Sequence, residues 1–343
     1  MMTSARHNSL KIIGISPPGA LPGGELFLQW SGGEARSFIR PEVRFPNGTG
    51  HLISVTPDMI VAQVPESAVS GEVSIAQNGR ESNGVHCEIG SLIASNLHPV
   101  ANPALDLEGN LYTTLSGRRG EKVPQSIFRV SPSGVLHPLE TDIMNPTGIA
   151  FSSQGEMFVS SRQDGNIYKV SASGEKSTYA KGMGVATGIA FDYEDNLYVG
   201  DRTGTVFKID RKREIFVFAT LEPSVVAYHL VFDEMQNLFV SGPTTSSFDQ
   251  VYRIGSDGNV STCLAGLGRP QGMAFDIERN LYVAASWTGR RGIVRITPEG
   301  KAELFVSGHN LVGLAFAYHR GVFLVTGNSL YKLSSAVMGK PLP

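Results

Sequence analysis

GIAFDYEDNLYVGD, residues 188–201, reads as a short apolar strand, a tight polar turn and a second strand, and its pattern returns down the chain. Anchored on the Phe position, the copies fall at Leu105, Phe151, Phe191, Phe232, Phe275 and Phe316, with steps of 46, 40, 41, 43 and 41 residues. After each copy comes a third strand, SIFRV, NIYKV, TVFKI, QVYRI, GIVRI and SLYKL in turn, usually followed by a turn such as SPSG, SASG, GSDG or TPEG and a less regular fourth strand. Four strands per period of about 42 residues belong to radially repeated sheets rather than to a sandwich. Separate small domains are excluded, because one such repeat cannot bury its own faces. The reading is an all-β chain carrying a six-bladed β-propeller over residues 87–343.

The last copy stops after SLYKLSS and lacks a fourth strand of its own. Residues 88–98, EIGSLIASNLH, align with AELFVSGHN of the fifth repeat and are expected to supply it. Pairing 88–98 with the C-terminal blade would close the ring and remove an exposed sheet edge.

Composition agrees with many short strands joined by tight turns: 39 glycines in 343 residues, 41% hydrophobic and only 17% charged residues. A net charge of −2 argues against a dedicated nucleic-acid or anionic-membrane binder, both of which show a basic excess. No apolar run is long enough to insert in a membrane, and MMTSARHNSLKIIGISPPG lacks the apolar stretch of a secretory signal. As written, the chain reads as cytoplasmic; an export signal upstream of this start would make it extracytoplasmic. Cys87 and Cys263 are too few and too far apart in sequence for a disulfide framework or metal knuckle.

Residues 1–86 carry no trace of the period; Pro and Gly clusters punctuate short alternating strands there. IIGISPPGALPGGELFLQW followed by PEVRFPNGTGHLISVTPDMIVAQVPESAVSGEVSIAQNG resembles the TIG/IPT family of immunoglobulin-like modules, which implies an N-terminal β-sandwich domain. Some of these modules resemble DNA-contacting parts of transcription factors. Six Arg and Lys against eight Asp and Glu in residues 1–90 disfavour phosphate binding here and favour a spacer or docking role.

The repeat array, through NPTGIAF, RPQGMAFD and NLYVGD, resembles the NHL-repeat proteins and the gluconolactonase/regucalcin-like (senescence marker protein) family. The latter resemblance implies a divalent cation at the channel mouth, held by Glu, Asn and Asp side chains at the starts of inner strands. In the Pro-x-Gly-apolar-Ala-Phe register the x positions, expected to point at that mouth, are Ala101, Thr147, Thr187, Tyr228, Gln271 and Val312. None is a carboxylate, and one amide with three hydroxyls does not replace two carboxylates around a hard cation. No metal cofactor is therefore expected. One alternative remains: a site rebuilt from Asn102 and His229, at positions where other repeats have Gly, together with Asp201 at a second-strand end.

Asp106, Asp192, Asp233 and Asp276 each open a turn, where Asp bonds its own backbone two residues on, so their recurrence needs no ligand. Arg129, Lys169, Lys208, Arg253, Arg295 and Lys332 recur once per third strand and are expected to pair between blades. HExxH, GxSxG, phosphate-loop and Cys-x-x-Cys sequences are absent. GMGVATG and GLGRPQG precede strands, not helices, and are connections rather than dinucleotide loops.

The joins between second and third strands are long in three repeats, LSGRRGEKVPQ, SGPTTSSFDQ and ASWTGRRG, and lie on the channel-mouth end. Formal charge is roughly +2 on this upper face and roughly −8 on the opposite turns. Arg118, Arg119, Lys122, Trp287, Arg290 and Arg291, with the polar x residues Thr147, Thr187, Tyr228 and Gln271, are the candidate ligand contacts, the indole for stacking and the guanidinium groups for forked bonds. Two functions stay open. The first is a non-catalytic binding protein for a small polar or anionic ligand or a protein partner. The second is a metal-dependent lactone or ester hydrolase built on Asn102, Asp201 and His229.

Overall fold

The structure, a computed structural model, describes residues 9–36, 38–115, 126–246, 248–317 and 320–340; among them there is no helix, and none long and apolar enough to cross a membrane. Contacts divide the chain into two units, 1–91 with 304–309, and 92–303 with 310–343.

In the first unit, Lys11–Ser16, Glu25–Ser31, Met59–Gln63 and His51–Val55 follow one another in one sheet, and Val85–Ile89, Gly71–Gln77, Glu42–Phe45 and Gly48–Thr49 in another. Alternation places Leu26, Leu28 and Trp30 on one face of their strand, opposite Ala62 and Ile60 of the neighbour. Val43 faces Ile75 in the second sheet, and these side chains join with Ile12, Val73 and Cys87 in a single core. Trp30 is buried whole, its indole N–H donating to Thr56 O at 2.9 Å.

The second unit repeats an antiparallel group of strands. The first is Ala104–Leu105, Leu111–Thr114, Ile127–Val130 and Leu136–Leu139; the second is Pro146–Phe151, Met157–Ser161, Ile167–Val170 and Lys176–Ala180. The third is Ala186–Phe191, Leu197–Asp201, Thr205–Ile209 and Ile215–Thr220; the fourth is His229–Phe232, Leu238–Ser241, Asp249–Ile254 and Val260–Leu267. The fifth runs Met273–Phe275, Leu281–Trp287 and Arg290–Ile296. In the last, Leu311–Phe316 and Val322–Thr326 lead to Ser329–Leu333, with Ser91–Ser95 beside it. Burial falls outward: Ala186–Phe191 and Leu197–Asp201 are almost wholly buried, whereas Ile215–Thr220 is mostly exposed. That gradient explains why the first two strands read as apolar runs and the fourth as irregular sequence.

An aromatic ladder joins the groups. Tyr112 packs on Phe151, Phe158 on Phe191, Tyr198 on Phe232, Phe239 on Phe275 and Tyr282 on Phe316, with ring centroids 4.9–5.2 Å apart and tilted or edge-on. Each pair joins the second strand of one group to the inner strand of the next. Such geometry contributes about 0.5–1.5 kcal/mol per pair beyond area burial. At the last position Phe323 shares a core with Leu105, the one copy that lacks Phe.

The turn Asp closes the hairpin in the repeats that carry it. Asp192 Oδ1 accepts from Glu194 N and Asn196 N at 3.0 and 2.8 Å, and Oδ2 from Asn196 Nδ2 at 2.8 Å. Asp276 repeats this with Glu278 and Asn280 and adds Tyr282 Oη at 3.1 Å. The turn reading of the Asp series is thereby extended to the Asn of the Asn-Leu-Tyr-Val segment. Four of the six third-strand cations correct an expectation, because they have partners within their own sheet. Lys169 meets Glu156 at 2.5 Å, Lys208 lies over the Tyr198 ring, Arg295 pairs with Glu303 and Lys332 lies over Phe323. Antiparallel register forces this, since Lys208 stands directly opposite Tyr198 and Lys332 opposite Phe323.

Candidate functional site

The inner strands surround a cavity of about 210 Å³, lined by residues 102–105, 149–151, 189–191, 230–232, 273–275 and 314–316. Its wall is apolar, with Ala104, Ala150, Ala190, Val231, Ala274 and Ala315 at equivalent positions. Asn102 spans the wall: Nδ2 donates to Met273 O at 2.5 Å and Oδ1 accepts from Leu314 N at 3.2 Å. A Cβ on Gly272 or Gly313 would lie 1.9 or 2.4 Å from that oxygen, which is why glycine stands at both positions. Lys340 also lines the cavity, its ammonium donating to Phe232 O and Asp233 O at 3.0 and 2.9 Å.

Three of the x residues, Thr187, Tyr228 and Gln271, turn sideways, into the joins between sheets. Thr187 Oγ1 donates to Gly200 O at 2.8 Å and accepts from Tyr228 N at 3.1 Å. Tyr228 is 1% exposed, its ring wedged between Gly200 and Gly242 and its hydroxyl bonded to Glu222 O. Thr147 is buried and donates to Asn145 O, while Gln271 is half-buried and reaches Leu311 O at 3.4 Å. The physical reason is an irregularity in the ladder: the register shifts between Pro146 and Ile149 and between Ala186 and Ile189, and such a bulge re-aims the x side chain.

Asn102, Asp201 and His229, the rebuilt-site trio, have separate partners. Asp201 Oδ1 accepts from Val185 N at 2.9 Å and Thr203 N at 3.1 Å, and Oδ2 from Thr203 Oγ1, which fixes the loop before the inner strand. His229 is 2% exposed, with Nε2 buried and without a hydrogen-bond partner, and burial pushes its pKa down to about 4. An imidazole held neutral in this way has the charge a metal ligand needs. The oxygen donors have other tasks: Asn102 is bonded to Met273 O and Leu314 N, and Asp201 to Val185 N and Thr203. Among the described residues no group of three His, Cys, Asp or Glu side chains has metal-holding geometry. The donor set does not fit the cation that the gluconolactonase resemblance implies.

Arg118, Arg119 and Lys122 lie outside the described residues. Trp287 and Arg290 face each other across a two-residue turn whose Thr288 and Gly289 have φ of 49° and 82°, as a type I′ hairpin requires, and Arg291 is exposed beside them. Phe248, 71% exposed, and Trp287 both lie against Gly266, where a Cβ would stand 3.2 Å from the Phe248 ring and 3.7 Å from the indole. Two aromatic rings and the arginine pair thus occupy neighbouring loops.

A second cavity, of about 240 Å³, opens among Asn145, Arg162, Gln163, Val185 and Arg202. Arg162 and Arg202 are the residues directly after the second strands Met157–Ser161 and Leu197–Asp201, and each backbone N–H donates to the strand connection beside it, at Asn145 O and Val185 O. The sequence signal is a matched pair, SSRQDG and GDRTGT, in adjacent repeats; it went unread because neither join is long.

No family model and no curated protein sequence matches the chain. Solved structures do. A putative gluconolactonase superposes with a TM-score of 0.61 at 15% identity over 74% of this chain and 94% of its own. An auxiliary nutrient binding protein from Bacteroides ovatus gives 0.56 at 12% identity over 95% and 98%, and a structural genomics protein of unknown function from Bacteroides thetaiotaomicron 0.58 at 12% over 97% and 100%. At these identities the likeness establishes a propeller-type, gluconolactonase-like fold and nothing of activity.

Proposed function

We propose that this is a non-catalytic binding protein: a TIG/IPT-type immunoglobulin-like domain followed by a six-bladed propeller, closed by residues 88–98 on the C-terminal blade. The propeller takes a small polar or anionic ligand, or a protein partner, on the face formed by the joins between second and third strands. The observation that carries this reading is the engagement of the oxygen ligands. Asn102 is bonded to Met273 O and Leu314 N, and Asp201 to Val185 N and Thr203, so each already serves the fold. On the loop face Phe248, Trp287 and Arg291 are displayed instead, the aromatic and forked-donor chemistry of a recognition surface. The name of the Bacteroides ovatus neighbour, an auxiliary nutrient binding protein, is in keeping with such a role.

The test has two arms. Dialysed protein, analysed by elemental mass spectrometry and assayed on lactones with calcium, zinc and manganese added back, is expected to carry no stoichiometric metal and show no turnover. Trp287 fluorescence is expected to shift with a small polar ligand, and the response to vanish in Trp287→Ala. Stoichiometric metal with metal-dependent turnover would replace this reading with the lactonase one.

A further inference from the structure

We propose that the cavity between Arg162 and Arg202 is a binding site for a small oxyanion, carboxylate or phosphate, that carries a hydroxyl group beside its charge. This names a ligand class for the loop face and rests on the binding role proposed above.

The first argument is charge. Two adjacent repeats put an arginine at the same position, so that both guanidinium groups line one cavity. Their proximity is felt electrostatically: Arg162, half-buried, has its pKa lowered by desolvation and then by the charge of Arg202. An oxyanion entering this cavity would lie between two positive side chains, one half-buried and one exposed. Two guanidinium forks then offer an oxyanion several N–H donors from both sides.

The second argument is independent of charge. Asn145, 2% exposed, lines the same cavity, and its Oδ1 is buried without a hydrogen-bond partner, while Nδ2 lies 3.5 Å from Gln163 Oε1. A buried acceptor left unmet is costly, and the fold maintains this one rigidly: Asn145 precedes Pro146, has φ of 48°, and its own carbonyl accepts from Arg162 N and Thr147 Oγ1. An anion alone cannot satisfy it, since an acceptor needs a donor. A ligand with a hydroxyl next to its anionic group meets both requirements, the charge on the arginines and the O–H on Asn145 Oδ1. A volume near 240 Å³ is that of about eight water-sized groups at ~30 Å³ each, which suits a compact hydroxy acid or a small phosphate ester.

The experiment uses the full chain and isothermal titration calorimetry with glycerate, glycerol 2-phosphate, acetate, inorganic phosphate and glycerol. Glycerate or glycerol 2-phosphate is expected to bind at least tenfold more tightly than the matching bare anion, and glycerol not at all; which of the two binds identifies the anionic group. Arg162→Met and Arg202→Met are each expected to weaken binding at least tenfold. Asn145→Leu is expected to remove the hydroxyl preference, bringing the hydroxylated ligand to the level of its bare anion. Thermal melts give a readout for folding: a variant that still unfolds in one cooperative transition is folded, so its loss of binding is a loss of the site and not of the fold. If none of the anions binds at 20 mM, or if the arginine variants bind unchanged, the site is overturned. A ligand that shifts Trp287 fluorescence but ignores Arg162 and Arg202 would refute this cavity alone, whereas a face that answers to no ligand would refute the binding role with it.

Discussion

Replacing His229 by Leu should change how stability depends on pH, and the size of the change follows from the structure. His229 is fully enclosed and burial lowers its pKa from 6.5 to about 4. Its folded pKa lies below its unfolded one, so between these values the unfolded chain binds a proton that the folded chain refuses. Stability attributable to the neutral imidazole is thus whole above pH 6.5, falls as pH drops through the unfolded pKa, and levels below the folded one. The full difference is about 3 kcal/mol, of which about 2 kcal/mol appears between pH 7 and pH 5. His229→Leu cannot show this loss. The packing change that accompanies the substitution is the same at both pH values and cancels in the comparison. The assay is denaturant unfolding at pH 7 and pH 5 in a Trp30→Phe background, which leaves Trp287 as the single indole of the two in the chain. The wild type is expected to lose about 2 kcal/mol more than the variant on acidification. Equal losses, or a His229 imidazole resonance that titrates near 6.5, would refute the argument that enclosure keeps this side chain neutral.

Asp276→Ala removes the acceptor of four hydrogen bonds at a site 4% exposed and should destabilise the repeat array by about 2–4 kcal/mol, read by denaturant melts. Phe191→Ala removes a rung of the aromatic ladder and should cost about 3–5 kcal/mol, while Tyr193→Ala, two residues on and half-exposed, should cost less than about 1 kcal/mol. Gly188→Ala would set a methyl 2.4 Å from Tyr228 O and 3.0 Å from His229 Cα, both backbone atoms, and is expected to lower the melting temperature by several degrees; an unchanged melt would mean that the inner strands separate easily.

The repeat itself was legible because each of its residues has a task inside one copy or against the next. The Phe of GIAF and the Tyr of NLYV appear once per repeat since Phe191 packs on Phe158 and Tyr198 on Phe232. Asp192 and Asn196 recur since they bond each other across a turn four residues long. These are local or nearest-neighbour relations, and a sequence period records them directly. Side-chain direction at the inner-strand starts was not legible. Thr187 and Tyr228 look like channel residues in alignment, yet Thr187 bonds Gly200 O and Tyr228 N, because neighbouring strands face the sides of each inner strand as well as its end.

What the sequence by itself determined is therefore periodicity: the number of copies, the order of strands within each, and the turn chemistry, all set by contacts at fixed short spacing. Only the tertiary structure decided which polar groups are already engaged. Asn102 looks available until Met273 and Leu314, 171 and 212 residues away, take up its amide, and Asn145 looks ordinary until burial leaves its oxygen without a donor beside Arg162 and Arg202. Spacing along a chain cannot report such states, because hydrogen-bond satisfaction depends on which distant strands folding brings within three ångströms.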